Sequence, residues 1–201
     1  MGSGFSGIIL AGGNASRLDG REKAFLEVGG TRMIDRILSV YREIFEDIVV
    51  VTNNPSSFID MDVTIVPDII AKRSSMTGLH AGLFFSRNEM AFVSACDSPF
   101  IEKAMIKLVL SSMKPHYDAV MPVHGKGFYE PLCAAYSRRL VRVFEKSLSN
   151  DVFTIREALA ERRLIPIPEE RLRKADPELI SFFNVNTIED LEEAGQIAKV
   201  R

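Results

Sequence analysis

Short apolar runs alternate with helical patterns along the first half of the chain, and this alternation limits the possible folds. Strands buried on both faces are predicted over residues 6–10, 47–52, 63–66 and 90–95. Helices between or after them are predicted over residues 33–45, 78–86 and 101–113. This order predicts right-handed βαβ units, and therefore an α/β fold with a mostly parallel central sheet and helices on both faces.

The pattern changes beyond Lys114. Strands predicted over 117–122 and 131–136 flank the turn sequence at 124–127, which favours an antiparallel excursion in the C-terminal half. Helices are predicted over 138–149, 154–163 and 188–200, with a strand over 164–167. Thr187 has the residue type and position of an N-cap for the last helix. A length of 201 residues is that of one domain with a substantial core.

Charge and composition exclude several classes of partner. The net charge is -2 and the basic residues are dispersed, so we expect no nucleic-acid surface. No apolar run has membrane-spanning length and the first residues lack the regions of a signal peptide, so we expect a cytoplasmic protein without a membrane partner. Cys96 and Cys133 form no C-x-x-C motif and are expected to be buried and reduced.

The segment from Gly7 to Ala24 combines a strand, two glycines and two cations. Without a Cβ, Gly12 and Gly13 allow a ligand to approach the backbone, whose N–H groups can bind phosphate oxygens. Arg17 and Lys23 add positive charge. The third glycine of the dinucleotide fingerprint is absent, which disfavours a dehydrogenase, and the Gly-Lys-Ser/Thr ending of the P-loop is absent as well. The segment therefore predicts a different kind of nucleoside triphosphate loop.

Asp97 follows the predicted strand at 90–95, at the sheet edge where α/β proteins bind ligands. Its carboxylate could hold Mg²⁺ together with phosphate oxygens. The alternative is that Asp97 caps a helix beginning near Ile101.

Two further pairs are candidates for binding. Gly78 and Gly82 share a helix face, where they allow either close packing on the sheet or the approach of a ligand. Asn184 and Asn186 alternate around Val185, so on a strand both amides would point to one face. For Asn186 the alternative is a turn or cap residue.

Several motifs together resemble those of one family. Residues 10–23 match L-A-[GA]-G-x-x-x-R-[ML]-x-G-x-x-K, the signature of nucleotidyltransferases that activate small phosphorylated molecules. The segments GLHAG, CDSPF, EPL and FNVNTIEDL follow in the order and spacing of the molybdenum cofactor guanylyltransferases. The chain resembles that family over nearly its whole length, which implies a Rossmann-like nucleotidyltransferase fold within one domain, 1–201. Its nucleotide-binding half would span about 6–114 and its acceptor-binding half about 115–201.

The resemblance assigns roles residue by residue. Arg17, Lys23 and Asp97 would be catalytic, with Asp97 also binding the metal. The nucleotide-binding residues would be Leu10, Ala11, Gly12, Gly13, Lys23, Asp68 and Asp97, with either Asn53 or Thr52. The acceptor-binding residues would be Gly78, Gly82, Asn184 and Asn186.

The resemblance also implies the reaction: the terminal phosphate of molybdopterin attacks the α-phosphorus of GTP, with Mg²⁺ as cofactor, and pyrophosphate leaves. The protein partners would be those that deliver or receive the cofactor. One alternative is a transferase of the same fold that uses CTP or another phosphorylated acceptor. Another is a nucleotide-binding module without turnover, against which the intact Arg17, Lys23 and Asp97 argue.

Overall fold

The computed structural model describes residues 4–12, 17–18 and 21–201, with residues 17–18 described by their backbone alone. The strands are β1 (Phe5–Leu10), β2 (Arg17–Leu18), β3 (Arg21–Glu22), β4 (Glu27–Val28), β5 (Thr31–Arg32), β6 (Ile48–Val51), β7 (Thr64–Val66), β8 (Met90–Ala95), β9 (Ala119–His124), β10 (Phe128–Tyr129), β11 (Cys133–Ser137) and β12 (Leu164–Pro168). The helices are α1 (Met33–Arg42), α2 (Ser75–Phe85), α3 (Lys103–Ser112), α4 (Val141–Ser149), α5 (Ile155–Ala158), α6 (Glu169–Ala175) and α7 (Ile188–Val200).

One central sheet has the strand order β10-β9-β11-β8-β1-β6-β7, and β12 pairs with β9. Strand β1 lies parallel to both β6 and β8, and β6 lies parallel to β7. Strand β11 runs antiparallel between β8 and β9. Two small antiparallel ladders, β2–β3 and β4–β5, lie outside this sheet. The predicted α/β architecture, with a mostly parallel sheet and an antiparallel excursion, is confirmed.

The central strands are buried and largely apolar because helices cover both faces of the sheet. Ile9, on one face, belongs to the same buried cluster as residues of α1 and α3. Ile8, on the other, belongs to a cluster with residues of α2 and α4. Alternate side chains therefore enter different halves of the core, which is the environment predicted from continuous apolar runs.

A third, smaller cluster attaches the C-terminal segment to the loop that follows β1. Leu26 and Val28, at and beside β4, are buried together with Phe100, Val185 of the segment before α7, and Ala194 of α7. This packing brings the last part of the chain to the region of Lys23.

Three local predictions need correction. The helix predicted over 154–163 ends after Ala158, because only Ile155 and Leu159 offer buried apolar contacts there. Helix α6 was not predicted, since Leu172 is its one buried residue. The segment holding Asn184 and Asn186 is not a strand: the Val185 N–H donates to the Asp97 carbonyl, and no ladder is assigned in this described segment.

None of the helices in the described ranges has the length and apolar character needed to cross a membrane.

Candidate active site

The carboxyl ends of the parallel strands lie level with one another. Leu10 pairs with Val51 on one side and with Ala95 on the other, and Val51 pairs with Val66. Backbone bonds continue beyond the last residues: the Ala11 N–H donates to the Val51 carbonyl at 2.8 Å. The segments beginning at residues 11, 52, 67 and 96 therefore leave the sheet at a single edge.

One part of this edge, which we call the Asp68 surface, is formed by Leu10, Gly12, Asn53, Asp68 and Gly78. The Asn53 amide donates from Nδ2 to Asp68 Oδ2 at 2.8 Å, and its Oδ1 accepts from the Asp68 N–H at 3.1 Å. A Cβ built on Gly78 would lie 3.4 Å from Leu10 Cδ2 and 3.7 Å from Asp68 Oδ1. Gly78 thus lies among the predicted nucleotide-binding residues, although the sequence assigned it to the acceptor.

Thr52 and Asn53 differ in what they present at this edge. Thr52 is buried, and its Oγ1 accepts from the Asn54 N–H at 3.1 Å. Asn53 is exposed and contacts Asp68. Of the two alternatives, Asn53 is the one that offers a side chain to a ligand.

Gly82 lies one helical turn beyond Gly78, and both glycines are buried. A Cβ there would come within 2.5 Å of Ile8 Cγ2, so the absent side chain lets α2 lie against β1. Of the two roles left open for Gly82, the structure favours packing, because Ile8 fills the space beside it.

The second part of the edge, the Asp97 cluster, consists of Lys23, Asp97, Ser98, Asn184 and Asn186. Lys23 is only 3% exposed, and its Nζ donates to Asn186 Oδ1 at 2.9 Å. A buried ammonium requires such acceptors, since burial removes its hydration. The contact joins residues 163 positions apart in the sequence.

Asp97 is the acidic group of this cluster. Burial raises the pKa of its carboxyl, while the positive charge of Lys23 and a backbone hydrogen bond act in the opposite direction. Helix α3 begins at Lys103 with Glu102 at its N-cap position, so the alternative that Asp97 caps this helix is wrong. Asp97 therefore has no capping role, and the charge of the buried Lys23 acts on it.

The two asparagines are held by neighbouring protein groups. Ser98 Oγ donates to Asn184 Oδ1 at 2.7 Å, as Lys23 does to Asn186. Val185 between them is fully buried, and both asparagines are exposed. The predicted alternation survives without a strand, and because both amide oxygens are engaged, the Nδ2 groups remain as donors.

Thr187 is the N-cap of α7, as predicted, and forms a capping box with Asp190. The sequence analysis missed Ser98 and Asp190 as supports of the site. Asp190 could have been found from the S/T-x-x-D/E pattern at a helix start. Ser98 could not, because its partner lies 86 residues away.

The residues around Asp97 fit Mg²⁺ if one carboxylate and the substrate share its coordination. Among the described residues, no group of three or more His, Cys, Asp or Glu side chains could hold a metal ion. Mg²⁺ is commonly bound by one or two carboxylates together with substrate phosphates and water. Asp97 can supply such a carboxylate, with the remaining oxygens coming from a triphosphate.

Three of the predicted residues belong to the segment that follows β1. Gly13 lies outside the described residues, and Arg17 is described by its backbone in β2 without its side chain. Ala11 is buried and its N–H is already donated to Val51. Roles for these residues stay predictions. Cys96 and Cys133 are free and buried, as expected, and burial raises the pKa of Cys96 to about 12.

Comparison with known proteins gives consistent matches. The MobA-like NTP transferase domain family matches residues 7–165. A molybdenum cofactor guanylyltransferase of Desulfosudis oleivorans is 41% identical over 94% of this chain and 93% of its own. A probable molybdenum cofactor guanylyltransferase of Natranaerobius thermophilus is 38% identical over 94% of each chain. The crystal structure of molybdopterin-guanine dinucleotide biosynthesis protein A from Archaeoglobus fulgidus superposes with a TM-score of 0.84 at 28% identity, covering 98% of this chain and 100% of the other.

Proposed function

The chain belongs to the MobA-like NTP transferase family, and we infer from this membership that it is a molybdenum cofactor guanylyltransferase. It transfers GMP to the molybdenum cofactor and forms the guanine dinucleotide. We propose that GTP is the donor, that the terminal phosphate of molybdopterin is the acceptor, and that turnover depends on Mg²⁺.

The observation that carries the assignment of the site is the contact between Lys23 and Asn186. It joins the segment after β1 to the segment before α7. We propose that the part of the chain at about 6–114 binds the nucleotide and that the part at about 115–201 binds the acceptor. Lys23 and Asp97 then lie where the two substrates meet.

The Asp68 surface supports the binding of GTP. Asn53 and Asp68 hold each other's polar groups in fixed positions, and Gly12 is exposed beside them, with no side chain to cover its backbone. Such polar groups can read the edge of a base or hold a ribose, while the backbone near Gly12 faces phosphates. We propose that this surface, with Leu10 and Ala11, receives the guanine nucleotide.

The acceptor needs no general base. A phosphate monoester with a second pKa near ~6 is largely dianionic at neutral pH and can attack the α-phosphorus directly. Cys96 is no rival nucleophile, because burial raises the pKa of its thiol to about 12. Catalysis is then a matter of placing the two phosphates in line and neutralising the charge that develops.

We propose that Lys23 supplies this neutralisation together with Arg17, and that the backbone of Gly13 helps to bind the nucleotide. The Lys23 ammonium is buried with a neutral amide as its observed acceptor, so phosphate oxygens would be strong additional partners. Asp97 would hold Mg²⁺, which supplies further positive charge to the phosphates when bound. Asn184 and Asn186 would donate from their Nδ2 groups to the acceptor.

Two further proposals concern the surroundings of the enzyme. Two buried free thiols suit a reducing compartment, which supports a cytoplasmic location. We also propose that other proteins deliver molybdopterin or receive the product.

The test is release of pyrophosphate from GTP in the presence of Mg²⁺ and molybdopterin. Activity should require all three, and CTP should replace GTP poorly. Release without molybdopterin would indicate simple hydrolysis, and equal rates with CTP would contradict the proposed base specificity.

A further inference from the structure

The carboxylate of Asp190 accepts hydrogen bonds from the backbone at Asn186 and Thr187. One oxygen, Oδ2, accepts from the N–H groups of both Asn186 and Thr187, each at 2.8 Å. These two bonds lower the pKa of Asp190, and the charge of Lys23 acts in the same direction, so Asp190 carries its negative charge at neutral pH.

Two hydrogen bonds lead from Asp190 through Asn186 to Lys23, whose charge acts on Asp97. Asp190 holds the Asn186 N–H, the Asn186 side chain accepts from Lys23 Nζ, and the charge of Lys23 reaches Asp97. An ammonium only donates hydrogen bonds, so Asn186 must turn its oxygen toward Lys23 and its Nδ2 away from it.

We propose that Asp190 is a positioning residue for the transfer reaction: by fixing Asn186, it holds the Lys23 ammonium in place and presents the amide of Asn186 to the acceptor. This inference rests on the proposed role of Lys23. The capping box of α7 therefore has two roles, since the Asp190 side chain caps the helix and also orders the active site.

The position of Asn186 depends on the bond to Asp190 because little else supports this residue. Asn186 is exposed, and its segment is not part of the central sheet. Val185 anchors the segment through its buried side chain and its bond to the Asp97 carbonyl. At Asn186 the direction of the backbone is set by the bond to Asp190. Loss of that bond would move the amide oxygen of Asn186 away from Lys23.

Two substitutions separate the geometry from the charge. Both bonds end on one oxygen, so Asp190→Asn can keep them through its amide oxygen, whereas Asp190→Ala loses them. We expect Asp190→Ala to lower kcat by up to about 10²-fold, the scale of a small misplacement of reacting groups. Asp190→Asn should restore most of that loss.

Thr187→Ala is the control for a purely structural role. It removes the bond from the Asp190 N–H to Thr187 Oγ1 and weakens the cap, but it leaves the bonds of the carboxylate to the backbone. Both Thr187→Ala and Asp190→Ala should lower the melting temperature, and only Asp190→Ala should reduce kcat strongly. Parallel losses of kcat and melting temperature in both variants would overturn the proposal.

A double-mutant cycle with Asn186→Ala gives the second test. If Asp190 acts through Asn186, adding Asp190→Ala to Asn186→Ala should reduce kcat little further. Independent, multiplying losses would refute the positioning role. Lys23→Ala is measured in parallel: an active Lys23→Ala enzyme would refute the proposed function of Lys23 itself, whatever the cycle shows.

Discussion

Replacing Gly82 by alanine tests the close contact between α2 and the sheet. The new Cβ would lie 2.5 Å from Ile8 Cγ2 and 3.1 Å from Ile8 Cδ1. Ile8 is fully buried in β1, between β6 and β8, so it cannot move aside without disturbing the centre of the sheet. We therefore expect Gly82→Ala to destabilise the protein.

The magnitude follows from two opposing terms. Overpacking of a core typically costs about 1–3 kcal/mol. Alanine in place of glycine inside a helix contributes about 1 kcal/mol in the other direction. The net loss should be up to about 2 kcal/mol in the free energy of unfolding.

Gly195 in α7 is a matched control, because a Cβ there meets nothing within 4 Å. Gly195→Ala should gain the helix term without the clash, so the two variants should differ by the overpacking cost alone, about 1–3 kcal/mol. Urea unfolding of both variants and the wild type, with the slope m compared, measures this difference. Equal stabilisation by the two substitutions would refute the packing argument.

Four further predictions concern the chemistry. Lys23→Ala should reduce kcat by ~10²- to 10³-fold in the pyrophosphate assay, whereas alanine at the exposed Lys126 should not, and equal rates would remove Lys23 from the mechanism. Asp97→Asn should raise the Mg²⁺ concentration needed for half-maximal turnover, and an unchanged Mg²⁺ titration would exclude Asp97 as a ligand. The pKa of Asp97 is raised in the native state, so the native state binds the carboxyl proton more tightly than the unfolded chain does. The free energy of unfolding should therefore fall as the pH rises from the ordinary pKa of this carboxyl to its raised native pKa. Asp97→Asn should remove this part of the pH dependence, measured by urea unfolding at several pH values. Asn184→Ala should raise the KM for molybdopterin more than the Kd for GTP, Ser98→Ala should do so more weakly, and equal damage to both substrates would contradict an acceptor-specific role.

The sequence predicted the parts of the fold that follow from continuous burial. Ile8, Val50 and Phe92 lie in strands covered on both faces, and this environment leaves an unbroken apolar run. Helix α6 gave no such signal, since its Leu172 alone is buried. The start of α2 was placed three residues late because its cap, Ser74, lies before the glycine pattern and was not recognised.

The site was predictable as a set of residues but not as a set of contacts. Lys23, Asp97 and the two asparagines could be named from their motifs. That Lys23 meets Asn186, and that Ser98 meets Asn184, depends on the docking of α7 against β4, which is a tertiary event. The alternation of the asparagines was predicted from a strand that does not exist, and it holds because the burial of Val185 imposes the same geometry.

The separation of Lys23 and Asn186 by 163 positions sets an order of events during synthesis. At the usual rate of roughly 5–20 residues per second, the ribosome needs on the order of 10–30 s between making the lysine and making the amide that receives it. Strands β6 and β8 are made during that interval, so β1 and its two neighbours are complete before the Lys23 ammonium has its amide partner. The nascent chain therefore cannot assemble a working centre early, and the enzyme becomes competent only when its final helix docks.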